Sequence, residues 1–378
     1  MVASIDDKSF TIVPFSFIDG FRIQDKVYIQ KDGLTVKCGY GLLGRVINAL
    51  GEPIDNKGKI TDLEENAAIN KLSMPPLERG IIDQKFATGV KAIDSMLTSG
   101  KGQKVGIFAG SGVGKSTLMG MIVKGCEAQI KVVALIGERG REIPEFIHYN
   151  LNNNMENTIL VTATSDESAL MRKYGAFTAM SIAEFFRDKG HDVLLMMDSV
   201  TRFAMAQREI GLSTGEPPVS RGYPPSVFAL LPQLMERAGN NKKGSITAFF
   251  TVLVDGDDMN DPIADQSRSI LDGHIVLTRE LTEQGFYPPI NLLKSASRVM
   301  DKVVDKEHYN DFLKLKRVLS LIKENEVLVR VGAYKAGMDP ELDSAMSKKE
   351  QIREFLTQDT QKIFGFNEIV TMFRKVLQ

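Results

Sequence analysis

The sequence predicts an α/β fold in which a parallel β-sheet lies between layers of α-helices. Between residues 80 and 298, short and mostly apolar runs alternate with longer segments of helical periodicity. A strand that is apolar on both faces is buried on both faces, which is typical of a parallel sheet covered by helices. The predicted strands are Lys104–Phe108, Val132–Ile136, Thr158–Val161 and Val193–Met197, with a helix over Ser168–Lys189.

The N-terminal residues 1–55 predict part of a small β-barrel domain. Glycines there separate short runs rich in β-branched and aromatic residues, such as Phe10–Val13 and Val27–Ile29. Residues 56–79 predict a linker, because this polar stretch ends near a pair of prolines that suit neither a helix nor a central strand. We therefore expect the first domain boundary in this linker.

We assign residues 80–305 to the α/β domain and residues 306–378 to a small helical domain. Asp311–Leu321 carries apolar side chains at helical spacing. The pair Asp339–Pro340 is typical of an N-cap followed by the first helical residue, and Asn367 is predicted to open a last helix.

Charge and composition exclude several classes of function. Lys and Arg total 47 against 48 Asp and Glu, so a net charge of −1 creates no field that attracts nucleic acid or an anionic membrane. The N-terminus lacks the pattern of a signal peptide, and the apolar runs are too short to span a bilayer. Two cysteines, Cys38 and Cys126, fit a reducing compartment, so we expect a cytoplasmic protein.

The segment Ala109–Ser116 predicts a phosphate-binding P-loop, because it follows an apolar strand and precedes a helical pattern. In such a loop the backbone amides surround phosphate oxygens, and Lys115 reaches the β- and γ-phosphates. Ser116 would ligate Mg²⁺. Ala109 stands where the strict pattern has glycine, which is a small departure. A turn that only caps a helix would explain the glycines, but not the Gly-Lys-Ser ending in register.

Two acidic residues follow predicted strands and are candidate partners of the P-loop. Asp198 comes directly after Val193–Met197, at the strand end where ligands gather in open α/β sheets, and would hold Mg²⁺ through water. Glu138 follows Val132–Ile136 and could polarise an attacking water. Taken alone, Asp198 could equally cap the next loop, and Glu138 could belong to a solvated charged loop.

Taken together, these motifs resemble the hexameric RecA-like ATPases of the rotary ATP synthase superfamily. The run Pro288–Ser297 fits the family's Pro-[Ser/Ala/Pro]-aliphatic-[Asp/Asn/His]-x-x-x-Ser-x-Ser signature, and Gly41–Asp55 resembles the segment that joins its barrel to its ATPase domain. Within the superfamily, Arg221–Pro232 and Gly244–Asp265 resemble the export ATPases of bacterial type III secretion. Among these we favour the flagellar form by overall likeness.

The resemblance implies roles for individual residues. Glu138 matches the catalytic glutamate, Arg139 a phosphate-site arginine beside it, and Arg202 a second active-site arginine. Tyr287 matches the residue whose ring packs on the adenine, and Arg298 matches an arginine finger that serves a neighbouring subunit. The implied nucleotide site consists of Gly110, Ser111, Gly112, Val113, Gly114, Lys115, Ser116, Thr117, Asp198, Arg202 and Tyr287, with Mg²⁺ on Ser116 and, through water, on Asp198.

The resemblance also implies an assembly and a place in the cell. It implies ATP and Mg²⁺ as cofactors and a homohexameric ring peripheral to the inner membrane, at the cytoplasmic base of a secretion apparatus. The implied partners are a stator-like regulator, central-stalk proteins, the export gate, export chaperones and export substrates, but no nucleic acid. Because Lys115 comes earlier than the family usually places it, we expect a chain shortened at its N-terminus.

Other functions share parts of this pattern. The chain could be an injectisome ATPase or the catalytic subunit of a rotary ATP synthase. A nucleic-acid motor of the Rho type shares the ATPase core, but would be expected to carry basic and aromatic platforms, whereas this chain is 7% aromatic and lacks Trp. A nucleotide-gated scaffold without turnover is a further alternative, which phosphate release from a Glu138→Gln variant would test.

Overall fold

An eight-stranded sheet organises the molecule. The computed structural model describes residues 1–5, 7, 9–16, 20, 22, 24–28, 33–254, 256 and 258–378. The sheet has the strand order β14-β13-β8-β12-β11-β9-β10-β4, and every neighbouring pair is parallel except β13 with β14. The strands are β1 (Val2–Ile5), β2 (Phe10–Ile12), β3 (Thr35–Cys38), β4 (Val46–Asn48), β5 (Glu65–Ala68), β6 (Lys85–Phe86), β7 (Ser99–Gly100), β8 (Lys104–Ala109), β9 (Ile130–Ile136), β10 (Thr158–Ala163), β11 (Asp192–Asp198), β12 (Ser245–Leu253), β13 (Gly273–Val276) and β14 (Ala296–Ser297).

Helices cover both faces of this sheet, as the sequence predicts. They are α1 (Lys91–Met96), α2 (Lys115–Gly125), α3 (Glu142–Glu145), α4 (Ala169–Asp188), α5 (Val200–Ser213), α6 (Pro225–Met235), α7 (Pro262–Ile270), α8 (Arg279–Glu283), α9 (Met300–Val303), α10 (Lys306–Arg330), α11 (Pro340–Ser347), α12 (Lys349–Leu356) and α13 (Phe366–Leu377). The predicted helix over Ser168–Lys189 is confirmed as α4, with the Ser168 side chain accepting a hydrogen bond from the Met171 amide at its N-terminus.

The four predicted strands are confirmed as β8, β9, β10 and β11, each longer by one or two residues. Their side chains divide between two apolar clusters because successive residues of a strand point to opposite faces. In β9, Ala134 packs with α4 and α5 on one face, whereas Val133 and Leu135 pack with α2 on the other. The double burial that predicted a parallel sheet therefore corresponds to two separate cores.

The N-terminal segment is joined to the sheet more closely than the sequence indicates. β4 lies in the segment assigned to the N-terminal domain, yet it pairs in parallel with β10 at the edge of the main sheet. β5 lies in the expected linker 56–79 and pairs antiparallel with β3. β2 confirms the first predicted run, but Val27 and Tyr28 lie outside any strand and Ile29 lies outside the described residues.

The C-terminal part is helical, and the structure describes no strand after Ser297. Asp339 is confirmed as an N-cap, because its carboxylate accepts from the amides of Glu341 and Leu342 at the start of α11. The last helix begins at Phe366, one residue before the predicted Asn367. Among the described helices, not even α10 with its 25 residues is long and apolar enough to cross a membrane.

Candidate active site

The predicted P-loop and both acidic residues meet at the carboxyl edge of the sheet. β8 leads into Gly110–Thr117, which forms the turn before α2 and the first residues of that helix. Asp198 is the last residue of β11, and its register partner is Leu135 of β9. Glu138 follows β9 by two residues. Parallel strands end at the same edge, so three separate stretches of sequence converge there.

The P-loop backbone is shaped to receive an anion. Gly112 and Gly114 have φ angles of 75° and 92°, a left-handed conformation that glycine adopts without strain. The backbone N–H groups of Gly112–Thr117 donate no hydrogen bond to any residue in the described ranges. Unpaired amides at a helix N-terminus, together with the helix dipole, favour a bound phosphate.

One ammonium group lies between two carboxylates at the centre of the site. Lys115 Nζ is 2.5 Å from Asp198 Oδ1 and 3.4 Å from Glu138 Oε1. The three side chains are only 11%, 3% and 15% exposed, respectively. Thr251 Oγ1 also donates to Asp198 Oδ1, at 2.7 Å. We call Lys115, Glu138 and Asp198 the charged cluster.

Burial and charge shift the pKa values in this cluster. Burial, together with the negative charge of Asp198, raises the pKa of Glu138 to about 7, although the positive charge of Lys115 acts in the opposite direction. For Lys115, burial alone would lower the pKa, but the two carboxylates outweigh burial and raise it. Lys115 therefore stays charged, while Glu138 is poised to exchange a proton near neutral pH.

The structure brings Arg202 close to this cluster but leaves Arg139 outside it. Arg202 packs against the turn that carries Glu138, since a Cβ on Gly137 would lie 2.8 Å from the Arg202 Cβ. The Arg202 Nε is buried without a hydrogen-bond partner among the described residues, and such a donor fits a bound anion. Arg139 is 71% exposed and faces Glu142 at 3.8 Å.

Tyr287 and Arg298 are held in different places. The Tyr287 hydroxyl donates to the Gly114 carbonyl at 2.9 Å, so the tyrosine lies against the P-loop, and burial raises its pKa. Arg298 directly follows β14 at the edge of the sheet and is exposed. In the described part of the chain, its side chain makes no hydrogen bond or ion pair. The structure therefore keeps Arg298 out of the charged cluster of its own subunit.

Two residues near the site were missed by sequence reasoning. Thr251 contacts Asp198, and Arg279 Nη2 donates to the Ser111 carbonyl of the P-loop at 3.3 Å. Thr251 lies in the run Gly244–Asp265 but was given no role there, and Arg279 belongs to none of the quoted motifs. Arg279 opens the short helix α8, whose Thr282 hydroxyl also lies 3.5 Å from the Val113 carbonyl.

The residues present fit a magnesium nucleotide. Unpaired P-loop amides, Lys115 and Arg202 are donors suited to phosphate oxygens. Ser116 is exposed in the first turn of α2, and its hydroxyl has no hydrogen bond to a described residue. The described residues hold no group of three or more His, Cys, Asp or Glu side chains able to bind a metal. A cation here would therefore take most of its ligands from phosphate and water, as Mg²⁺ does in nucleotide sites.

Two sequence families together match most of the chain from residue 89 onward. The ATP synthase alpha/beta family, nucleotide-binding domain, matches residues 89–297, and the T3SS EscN ATPase C-terminal domain matches residues 304–375. The "Flagellum-specific ATP synthase" of Helicobacter pylori strain J99 is 59% identical over 100% of this chain and 87% of its own length. The "Type 3 secretion system ATPase" of Xanthomonas euvesicatoria is 45% identical over 97% of this chain and 83% of its own length.

Solved structures agree with these relationships. The assembled ATPase EscN from the enteropathogenic E. coli type III secretion system superposes with a TM-score of 0.96 at 47% identity, covering 100% of this chain and 92% of EscN. EscN in complex with its central stalk EscO gives a TM-score of 0.93 at 46% identity, covering 100% and 91%. This chain therefore belongs to the ATP synthase alpha/beta family and, within it, to the ATPases of flagellar and type III secretion.

Proposed function

We propose that this ATPase couples Mg²⁺-dependent ATP hydrolysis to protein export through a bacterial flagellar type III secretion apparatus. The observation that carries the proposal is the charged cluster beside a P-loop with unpaired amides. The flagellar assignment is supported by the 59% identity to a relative named for the flagellum. The work done would be the unfolding of export substrates and their release from chaperones.

In this proposal, Gly110–Thr117 bind the phosphates through the backbone and through Lys115. Ser116 holds Mg²⁺ directly, and Asp198 holds it through water. The bound nucleotide supplies a transferable phosphoryl group whose charge the cation partly neutralises. Tyr287, which lies against Gly114, contributes a ring for the adenine.

Glu138 would act on the attacking water. A general base works best when its pKa lies near the working pH, and the pKa of Glu138 is raised to about 7. Its carboxylate would orient the water and accept its proton. Lys115 now contacts both carboxylates, so phosphate binding would draw its ammonium away and leave Glu138 less tightly paired.

Arg298 would complete the site of a neighbouring subunit. It is exposed at the sheet edge and remote from the charged cluster of its own chain, which supports a role at an interface. An arginine finger is typically worth about 10³–10⁵ in rate. We therefore propose a homohexameric ring in which each subunit supplies Arg298 to the next and Arg202 assists at the phosphates. Arg139, whose side chain is 71% exposed, would have to turn inward to assist there as well.

Mixing two inactive variants tests this shared site. Lys115→Ala removes the phosphate ligand and Arg298→Ala removes the finger, so each variant alone should be nearly inactive. In a mixed ring, some interfaces pair an intact P-loop with an intact finger, and phosphate release should reappear. Mixing Lys115→Ala with a Lys115→Ala, Arg298→Ala double variant is the matched control and should stay inactive. An Arg298→Ala protein that keeps full activity in assembled form would contradict the proposal.

The proposed setting is the cytoplasmic face of the inner membrane, with peripheral attachment at the base of the apparatus. EscN, 46% identical, is solved in complex with a central stalk, which supports a stalk protein as one partner. A stator-like regulator, the export gate, chaperones and export substrates complete the proposed set. Expression in a bacterium lacking its flagellar export ATPase should restore motility, whereas the Lys115→Ala variant should not.

An injectisome role is the second candidate, because the Xanthomonas relative and EscN belong to that kind of system. The same experiment in a strain lacking its injectisome ATPase separates the two. Restored effector secretion without restored motility would favour the injectisome.

A further inference from the structure

Thr251 lies level with Asp198 on the neighbouring strand. β12 runs between β8, which leads into the P-loop, and β11, which ends at Asp198. The register pairs Met197 of β11 with Phe250 of β12, so the next residues, Asp198 and Thr251, come side by side. On its other side Thr251 pairs with Ile107 of β8. Thr251 therefore stands between the strand that leads to the P-loop and the strand that carries the carboxylate.

The Thr251 hydroxyl has one role that packing does not explain. Thr251 is fully buried, and its Oγ1 donates to Asp198 Oδ1 at 2.7 Å. A buried hydroxyl costs free energy unless it is hydrogen-bonded, whereas valine has nearly the same shape and carries no such cost. Phe249, two residues before it on the same face of the strand, is fully buried and apolar. The hydroxyl is thus matched to the carboxylate rather than to its apolar surroundings.

Both donors to Asp198 bind the same oxygen. Lys115 Nζ and Thr251 Oγ1 lie 2.5 and 2.7 Å from Oδ1, and no described residue donates to Oδ2. A carboxylate held through one oxygen has its rotation about the Cβ–Cγ bond restricted. Its second oxygen then remains available in a defined direction.

The two donors differ in their freedom to move. Lys115 carries a long side chain that can turn to a phosphate, whereas Thr251 is short, β-branched and fixed on a central strand. Once Lys115 leaves, Thr251 is the donor that remains on a carboxylate only 3% exposed. We propose that Thr251 is a positioning residue. It holds Asp198 Oδ1 both before and after the nucleotide binds, so that Oδ2 would be left to face the Mg²⁺-bound water. This inference rests on the proposed binding of a magnesium nucleotide.

The test measures binding rather than turnover. ADP affinity of the full chain is measured across a Mg²⁺ titration, and again in excess chelator. Side chains that hydrogen-bond a metal ligand typically contribute about 10–100-fold to metal affinity. Because Asp198 would itself hold Mg²⁺ through water, Thr251→Val should weaken the apparent Mg²⁺ affinity of the ADP complex by the lower end of this range, about 10-fold, and leave Mg²⁺-free ADP binding unchanged. Thr251→Ser, which keeps the hydroxyl and loses the methyl group, should restore the wild-type value.

Thr247→Val is the matched control, because Thr247 is a buried threonine on the same strand. Its hydroxyl accepts from the Gly102 amide, far from the charged cluster, so the change should lower stability but leave the Mg²⁺ dependence intact. If Thr251→Val fails to fold, Thr251→Ala and Thr251→Ser provide the comparison, since both lack the methyl group and differ in the hydroxyl.

The outcomes separate this inference from the proposed function. Wild-type Mg²⁺ dependence in Thr251→Val or Thr251→Ala would overturn the role of Thr251 alone. A Thr251→Ser variant as defective as Thr251→Val would also overturn it, because packing would then explain the loss. If the ADP affinity of the wild-type chain did not change with Mg²⁺ concentration, the proposed function would be overturned, and the role of Thr251 with it.

Discussion

Two buried clusters in this molecule each combine positive and negative side chains, but their hydrogen bonds and charges are arranged differently. Under α4, the fully buried Arg237 donates to both oxygens of Glu184 at 3.1 and 2.8 Å, to the Ile69 carbonyl at 2.7 Å and to the Ser181 hydroxyl at 2.9 Å. Arg237 is hydrogen-bonded to a single carboxylate, which the half-exposed Lys71 approaches only to 4.0 Å, and neutral oxygens take the remaining bonds of Arg237. Every nitrogen of the Arg237 guanidinium donates a hydrogen bond, and the bond to the Ile69 carbonyl links the N-terminal segment to the core.

In the charged cluster of the active site, the charges are not balanced in this way. A single ammonium serves two carboxylates at unequal distances, and the pKa of Glu138 is raised to about 7 as a result of burial and of the charge on Asp198. The unpaired P-loop amides and the Arg202 Nε lie nearby. Burial alone therefore does not mark a functional group. What distinguishes the site is an imbalance of charge and hydrogen bonding that a ligand can correct.

The largest expected effect separates activity from stability in the active-site cluster. Glu138→Gln should lower the rate of phosphate release by about 10²–10⁴, the range of a lost general base. The protein should stay folded, because Glu138 lies 3.4 Å from Lys115 and Asp198 remains to pair with it. Glu145→Gln, an exposed change on α3, is the matched control and should keep full activity. Turnover of Glu138→Gln close to the wild-type rate would favour a scaffold without catalysis by this residue.

The converse change should affect stability and not chemistry. Arg237→Met leaves the buried Glu184 without its hydrogen-bonded cation, while Lys71 stays 4.0 Å away, so the loss of unfolding free energy should reach up to about 3–5 kcal/mol. Urea unfolding should show this loss, while nucleotide affinity per folded molecule stays at the wild-type value. Lys323→Met breaks ion pairs with Glu280 and Glu326 that are exposed, and should cost less than about 1 kcal/mol. A loss in Arg237→Met no larger than that in Lys323→Met would mean that the buried pair contributes no more to stability than an exposed one.

The smallest expected effect is a pH dependence. The pKa of Glu138 is about 7 in the folded chain against an ordinary value of 4.5, so between these values the folded state holds a proton that the unfolded state has released. Glu138 therefore destabilises the fold increasingly as pH rises through this window, fully above about 7. The unfolding free energy of Glu138→Gln minus that of wild type should grow over the same range.

Activity should follow the same ionisation in the opposite sense. The kcat/KM for ATP reports groups of the free enzyme and should rise with pH as Glu138 loses its proton, with a midpoint near pH 7. The residual activity of Glu138→Gln should lack this step. A step that persists unchanged in the variant would assign the ionisation to another group.

The sequence alone was sufficient where all residues of a functional motif lie in one short stretch. The P-loop is contiguous, and its glycines and Lys115 are recognisable without any tertiary contact. Asp198 and Glu138 could be predicted because each follows an apolar strand, and parallel strands bring their ends together. The structure places both beside Lys115, and their catalytic roles remain predictions.

The features that the sequence did not predict depend on strand register and on contacts between residues distant in the chain. Thr251 is one threonine in a largely apolar run, and it becomes informative only when β12 is known to lie next to β11 in one register. In the sequence, Arg237 is one charged residue in a polar stretch. Its role becomes visible only in the fold, where it donates to the Ile69 carbonyl and to Glu184. No local pattern predicts β4 as a strand of the main sheet, since its partner β10 lies more than a hundred residues away.

The position of β4 has a practical consequence for dissecting this protein. A fragment cut at residue 80, where the sequence suggests that the α/β domain begins, would lose β4 and leave one edge of β10 unpaired, although β9 still pairs with its other edge. It would also lose Ile47 and Ile69, which are fully buried in the core beside α4. Exposed strand edges beside bare apolar surface promote aggregation. A fragment that keeps this hydrophobic core intact would have to begin upstream of β4, because the core holds residues from both sides of the boundary drawn from composition.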